Sequence, residues 1–119
     1  MATIVKRKLA SSTDGKAIKI AQTSTAGTAI HTAVAGTTEG TFDEVWLFAQ
    51  NNHTADVALT IEFGGASAPD DNIIVTVPSK GGSMLVVAGL ILQNGATVKA
   101  FASTANVISI TGYVNRITD

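Results

Sequence analysis

Residues 42–50 have the sequence FDEVWLFAQ, and this segment indicates the fold class of the chain. Val45 and Leu47 alternate with Trp46 and Phe48, and a period of two residues places successive side chains on opposite faces of a β-strand. A strand with one solvated face would carry polar residues at every second position. Because both faces are apolar here, we expect one face to lie in a core and the other to be covered.

The same period of two residues continues through most of the chain. Val, Ile and Thr together account for 38 of the 119 residues, and their branched side chains fit a pleated sheet better than a helix. Residues typical of turns separate the apolar segments. We predict eight strands, at about 17–21, 29–34, 42–50, 57–63, 73–77, 83–87, 96–102 and 107–115. Their length and spacing predict an all-β fold, a single antiparallel β-sandwich, and about eight strands suit a jelly roll.

The predicted strands differ in how they alternate. Residues 57–63 place apolar side chains at every second position, with polar residues such as Thr60 and Glu62 between them, so one face is expected in the core and the other in water. The apolar run at 84–92 instead occupies both faces. A sandwich buries each sheet on one side only, so a second apolar face needs a cover. Either the domain's own loops cover it, or it forms a homo-oligomer contact near Trp46.

The beginning of the chain differs from the rest. A length of 119 residues is that of one domain, with the sandwich predicted at 16–119 and an extended N-terminal arm at 1–15. The arm is either a solvated terminus or a contact in which apolar anchors and basic side chains meet an acidic partner surface. Its candidate contact residues are Ile4, Val5, Lys6, Arg7 and Lys8. We expect removal of residues 2–15 to leave the fold intact.

The composition argues against several function classes. The net charge is -1 and no basic stripe is present, whereas nucleic-acid binding requires one. The longest apolar run, at 84–92, is far shorter than the roughly 20 residues that span a bilayer. We therefore expect neither a nucleic-acid nor a membrane partner, and the absence of a signal-like segment predicts a protein made and kept in a cytoplasm. Only 14% of the residues are charged, against about 25% in an ordinary domain, so much of the surface is expected to be covered.

The chain offers few residues for catalysis. Its two histidines are His31 and His53, and no serine lies in a nucleophile elbow, so neither a Ser-His-Asp arrangement nor a clustered metal site is indicated. Asp43 and Glu44 are adjacent in a strand and would point to opposite faces, toward solvent or an interface salt bridge. Residues 69–72 fit a turn that begins at proline better than a calcium site. We expect no enzyme activity, no bound metal and no cofactor.

Five segments together resemble a known family. They are FDEVWLFAQN at 42–51, LTIEFGG at 59–65, PDDNIIVTVP at 69–78, VKAFA at 98–102 and NVISITGYVNRI at 106–117. The pattern resembles small virion proteins of tailed bacteriophages, and it is similar to capsid-associated β-sandwich proteins that act as head decoration or cement. The resemblance covers residues 42–117, about two thirds of the chain.

This resemblance implies a structural virion protein on the capsid exterior, synthesised in the cytoplasm of the bacterial host. Proteins of this kind are usually trimers, and they clamp neighbouring subunits of the major capsid protein. The expected oligomer interface comprises Trp46, Phe48 and Tyr113, with the N-terminal arm on the capsid. The alternative is a carbohydrate-binding module of a phage tail fibre or adhesin, in which Trp46 or Tyr113 would be an exposed stacking platform.

Overall fold

The computed structural model describes residues 2–119, so Met1 of the predicted arm lies outside the described residues. Nine strands form, and none of the described residues belongs to a helix, so no helix there could cross a membrane. The strands are β1 (Thr3–Lys8), β2 (Ile18–Lys19), β3 (Thr28–Thr32), β4 (Phe42–Asn51), β5 (Val57–Phe63), β6 (Asn72–Val77), β7 (Met84–Leu92), β8 (Thr97–Ala102) and β9 (Ile108–Thr118). The predicted all-β fold is confirmed.

Two antiparallel sheets pack face to face. Sheet A has the order β1-β9-β4-β7, with β2 also paired to β9, and sheet B has the order β3-β8-β5-β6. Strand β5 pairs with β6, β4 with β7, β3 with β8, and β2 with β9. This nested pairing, in which each successive pair encloses the previous one along the chain, is that of a jelly-roll sandwich.

Aliphatic side chains fill the space between the sheets. The inward positions of β4, β5 and β9 supply most of them, because alternate residues of each strand point the same way. The fully buried aliphatic residues of these three strands are Val45, Leu47, Ala49, Val57, Leu59, Ile61, Ile108, Ile110 and Val114. The aromatic residues of β4 are only half-buried, so they lie on the opposite side of sheet A.

The segment predicted as an arm is extended, but it belongs to the sandwich. Strand β1 pairs with β9 along its whole length, from Thr3 opposite Thr118 to Lys8 opposite Tyr113. The next residue, Leu9, is 1% exposed and lies in the core. Removal of residues 2–15 would therefore take away an edge strand and a core side chain, so we now expect the deletion to destabilise the fold.

Part of the outer face of β5 is not in water, contrary to the prediction. Ala58 is exposed, but Thr60 and Glu62 are buried, and the chain between β2 and β3 contacts Glu62. The Thr25 hydroxyl donates a hydrogen bond of 2.5 Å to one carboxylate oxygen of Glu62, and the Gly27 N–H donates one of 2.7 Å to the other. The pattern of β5 did not indicate this cover, since the covering residues lie more than thirty positions earlier in the chain.

Strand β7 continues to Leu92, beyond the predicted end at residue 87. Its register against β4 shifts twice, and Gly89 adopts a positive φ of 70°, a conformation that favours glycine. A β-bulge of this kind bends a strand without ending it. The apolar run at 84–92 is thus one edge strand, and its side chains point to both faces of sheet A.

Asp43 is buried in an ionic cluster, and its prediction as a residue facing solvent or an interface is wrong. Arg116 donates to both of its oxygens, from Nε at 2.7 Å and from Nη2 at 2.9 Å, and His31 Nε2 lies 2.7 Å from Oδ2. The Val34 N–H contributes a fourth bond of 3.2 Å. Glu44 does point to the opposite face, as predicted. Local sequence could not reveal the partner, because Arg116 lies 73 residues away.

The pKa of Asp43 lies below its ordinary value. Burial alone would raise it, but the hydrogen bonds from Arg116 and His31, together with the charge of Arg116, outweigh burial. His31 accepts the Ala10 N–H at its Nδ1 atom over 2.9 Å, so the ring proton is on Nε2 and is donated to Asp43. The same carboxylate raises the pKa of Arg116 through their hydrogen bond. The cluster joins β3, β4, β9 and the chain after β1.

Candidate functional site

The outer face of sheet A is the strongest candidate site. It is formed by the side chains that point away from sheet B: Ile4 and Lys6 of β1, Thr111, Tyr113, Asn115 and Ile117 of β9, Phe42, Glu44, Trp46 and Phe48 of β4, and Leu85, Ala88 and Ile91 of β7. In β4 the burial alternates strictly, with Asp43, Val45 and Leu47 buried and the outward residues half-buried. The face therefore follows directly from the alternation of FDEVWLFAQ.

An ordered row of side chains crosses the outer face at its centre. The rings of Trp46 and Tyr113 stack with centroids 6.3 Å apart and planes 15° apart. The Lys6 ammonium lies over the Tyr113 ring, 4.3 Å from its centroid, a cation–π arrangement. On the other side the Trp46 indole lies so close to Gly89 of β7 that a Cβ atom there would be 2.9 Å from it. The row thus contacts four of the five strands of sheet A: β1, β9, β4 and β7.

Glu44 gives the aromatic row a fixed polar partner. Its Oε1 atom accepts the Trp46 Nε1–H at 2.8 Å and the Asn115 Nδ2–H at 3.0 Å. The hydrogen bond from Trp46 is the main cause of a pKa below the usual value for Glu44, followed by the bond from Asn115. The carboxylate is therefore ionised at neutral pH and holds the indole in one orientation.

Large aliphatic side chains surround this row and are open to solvent. Ile4 is 69% exposed, Ile91 57% and Leu85 46%. A cavity of about 570 Å³ opens at the end of the face where Phe42, Ile91 and Leu92 meet the chain between β3 and β4. Nothing among residues 2–119 packs over the face. A contiguous exposed apolar surface of this kind marks an interaction site on a soluble protein.

The structure brings together most of the sequence-predicted contact residues. Ile4 and Lys6 of the predicted arm share the outer face with the predicted interface residues Trp46, Phe48 and Tyr113. Val5 and Arg7 lie on the opposite side of β1, and the Lys8 ammonium donates to the Ser12 carbonyl at 2.9 Å. The arm and the interface were predicted as two separate regions, but part of the arm lies on the same surface as the interface residues.

Sequence reasoning missed Leu85 and Ile91 as members of the site. The available signal was the apolar run at 84–92, which was expected to need a cover but was not assigned to one face with Trp46.

Among the described residues, no three His, Asp or Glu side chains are grouped so as to hold a metal ion. The turn predicted at residues 69–72 is closed by the Asn72 N–H, which donates to the Pro69 carbonyl at 3.1 Å.

No protein-family model, curated protein or solved structure matches this chain. The fold and the site define a class: a single jelly-roll sandwich that presents one rigid, largely apolar sheet face to its surroundings.

Proposed function

We propose that this protein is a structural virion component that decorates and cements a bacteriophage capsid. It binds from the outside, as a trimer, across neighbouring subunits of the major capsid protein. The observation that carries the proposal is the uncovered apolar outer face of sheet A, which a lattice contact would remove from water. The resemblance of residues 42–117 to small virion proteins supports a phage capsid as that lattice.

The construction of the outer face supports a binding role. Burial of apolar surface contributes about 25 cal/mol per Å², but association also costs free energy when mobile side chains are ordered. The contacts among Lys6, Tyr113, Trp46 and Glu44 already hold the centre of the face in one arrangement. Less side-chain entropy is therefore lost when a partner covers it. A protein that binds only the assembled lattice stabilises that lattice by mass action.

The charges at the rim of the face favour an acidic partner. Strand β1 carries Lys6 and Lys8 at positions paired with Asn115 and Tyr113 of the outer face, and Arg7 between them on the other side of the strand, whereas the chain as a whole has a net charge of -1. Rim charges of this kind steer association and fix orientation, and salt screens them. The apolar centre supplies affinity, and the basic edge strand selects an acidic surface on the capsid subunit.

A carbohydrate-binding module is the alternative, favoured by the aromatic pair on an open sheet. Sugar rings stack on an aromatic ring whose face is open to solvent. Lys6 instead lies over the Tyr113 ring, the near-parallel Trp46 ring lies beside it, and the Trp46 indole lies close to Gly89. This orientation supports a protein contact in preference to a sugar platform.

The number of copies per virion tests the proposed class of function. Quantitative mass spectrometry of purified phage particles should find several hundred copies of this chain, in a simple ratio to the major capsid protein. A lattice-wide cement requires such a ratio because it occupies every equivalent site. A handful of copies per particle would instead support the tail-fibre or adhesin alternative, and absence from the particle would reject both.

An Ile91→Glu substitution tests the proposed face. We expect it to weaken binding to undecorated capsids about 100-fold, because the interface would bury an unpaired carboxylate. Sedimentation of the variant with purified capsids measures this loss. The matched control is Ile74→Glu, since Ile74 is also exposed, at 68%, but lies on sheet B. Equal binding by both variants would show that the outer face of sheet A is not the contact.

A further inference from the structure

A second site lies at the end of β1, where β1, β3 and β9 meet. Arg7 is on the other side of β1 from the aromatic row, whereas Lys8, which also lines the site, is paired with Tyr113 of the outer face. A cleft of about 330 Å³ opens there, lined by Arg7, Lys8, Ala10, His31 and Arg116. Three of these five residues carry a positive charge, and no acidic side chain lines the cleft. The sequence indicated only that the basic cluster at residues 6–8 could meet an acidic surface; it did not indicate that Arg116 joins two members of that cluster around one cavity.

The positive charge of the cleft is only partly neutralised. Asp43 is buried with Arg116 and cancels one charge. Arg7 forms no ion pair with any of residues 2–119, where the two ion pairs both involve Asp43. The Lys8 ammonium donates to one carbonyl, that of Ser12, and retains two further N–H groups. The residues that line the cleft, taken together with Asp43, therefore carry a net charge of about two positive units.

The cleft also offers hydrogen-bond donors without matching acceptors. The oxygens of Asp43 already accept four hydrogen bonds. The Nδ1 atom of His31, which is 3% exposed, accepts the Ala10 N–H. Arg116 uses Nε and one N–H of Nη2 on Asp43, which leaves further guanidinium N–H groups for a ligand. Converging guanidinium and ammonium donors are the groups that bind oxyanions most strongly.

We propose that this cleft is a binding site for a phosphate group, either inorganic phosphate or the phosphate of a small phosphomonoester. The two uncancelled positive charges match a phosphate dianion at neutral pH, whereas a carboxylate would neutralise only one of them. The volume exceeds that of one phosphate ion and is within the range of small-molecule sites, so the rest of a small ligand has room. This site is separate from the aromatic row of the outer face, and its test does not require the proposed capsid role.

Titration of the isolated protein with inorganic phosphate tests the site. At constant ionic strength, two-dimensional ¹H–¹⁵N NMR should show saturable shifts of the amides around Arg7, Ala10 and His31. Arg7→Gln is expected to weaken phosphate binding about tenfold or more, because it removes a charge-assisted donor from the cleft. The matched control is Lys6→Gln, since Lys6 is the preceding residue of β1 but its ammonium lies over Tyr113 on the outer face. It should bind phosphate within about twofold of the wild-type protein.

Three further measurements complete the test of the phosphate site. Acetate should bind at least about tenfold more weakly than phosphate, because it carries one charge, and a small phosphomonoester tested beside inorganic phosphate shows which of the two the cleft prefers. The Arg7 residue is exposed and its side chain forms no hydrogen bond to any of residues 2–119, so Arg7→Gln should melt as the wild-type protein does. Non-saturable shifts, or equal loss of binding in Arg7→Gln and Lys6→Gln, would overturn the proposal. Neither result depends on a capsid.

Discussion

The Asp43→Asn variant is expected to lower the free energy of unfolding by about 3–5 kcal/mol at neutral pH, because it breaks a buried ionic cluster from one side. Asparagine has nearly the same shape, so the core packing is kept. However, an amide nitrogen that only donates replaces an oxygen that accepts from Arg116 or His31. A buried donor is then left unsatisfied next to the Arg116 charge. Urea unfolding monitored by circular dichroism measures the loss.

The matched control for this substitution is Asp70→Asn. Asp70 is exposed in a turn, so the same chemical change there should alter the free energy of unfolding by no more than about 0.5 kcal/mol. A loss below about 1 kcal/mol for Asp43→Asn would contradict the structural role assigned to the cluster.

The free energies of unfolding of wild type and Asp43→Asn should converge at acidic pH. The folded-state pKa of Asp43 is lower than its unfolded-state value of about 3.9, so the folded protein favours the ionised form. The resulting contribution to stability is fully present above pH 4 and is lost as the pH falls through the folded-state pKa. The difference in free energy of unfolding between wild type and Asp43→Asn should therefore stay constant down to about pH 4 and shrink over the interval below it. A difference that stays constant over this interval would show that the charge of Asp43 is not what stabilises the cluster.

Local pattern was sufficient to predict most of the fold. A period of two residues, β-branched composition and turn residues located β2 to β9 to within a few positions, except for the end of β7. The same alternation identified the second apolar face of β4, and with it Trp46 and Phe48 as contact residues. These features depend on neighbours in sequence, which is why they could be predicted.

Features that depend on distant segments were not predictable in this way. In sequence, the basic residues of β1 resemble a solvated terminus, and only the pairing of β1 with β9 shows that they belong to a sheet. Glu62 looks like a solvated strand residue until the chain before β3 folds over it, and Asp43 looks exposed without Arg116. In each case a polar residue is placed by a partner far away in sequence, and no local pattern encodes the pairing. The phosphate cleft belongs to the same group, since β1, β3 and β9 form it together.

The Gly112→Ala variant is expected to lower the free energy of unfolding by about 3 kcal/mol. Gly112 of β9 lies opposite Leu47 of β4, and a Cβ atom at this position would overlap the Trp46 carbonyl oxygen and lie 3.1 Å from the Leu47 Cα. These are backbone atoms, which cannot rotate away as a side chain can. The two central strands of sheet A would have to separate, which weakens their hydrogen bonds. Chemical denaturation of the variant measures the loss.

The control for this variant is Gly81→Ala, because a Cβ atom at Gly81 would make an ordinary contact of 3.4 Å with the Pro78 side chain. It should change the free energy of unfolding by no more than about 1 kcal/mol. Gly112→Ala should also weaken the near-ultraviolet circular dichroism of the Trp46–Tyr113 stack, because the displaced strands carry these two rings. If Gly112→Ala were as stable as Gly81→Ala and kept that signal, the outer face would not depend on the close approach of β4 and β9.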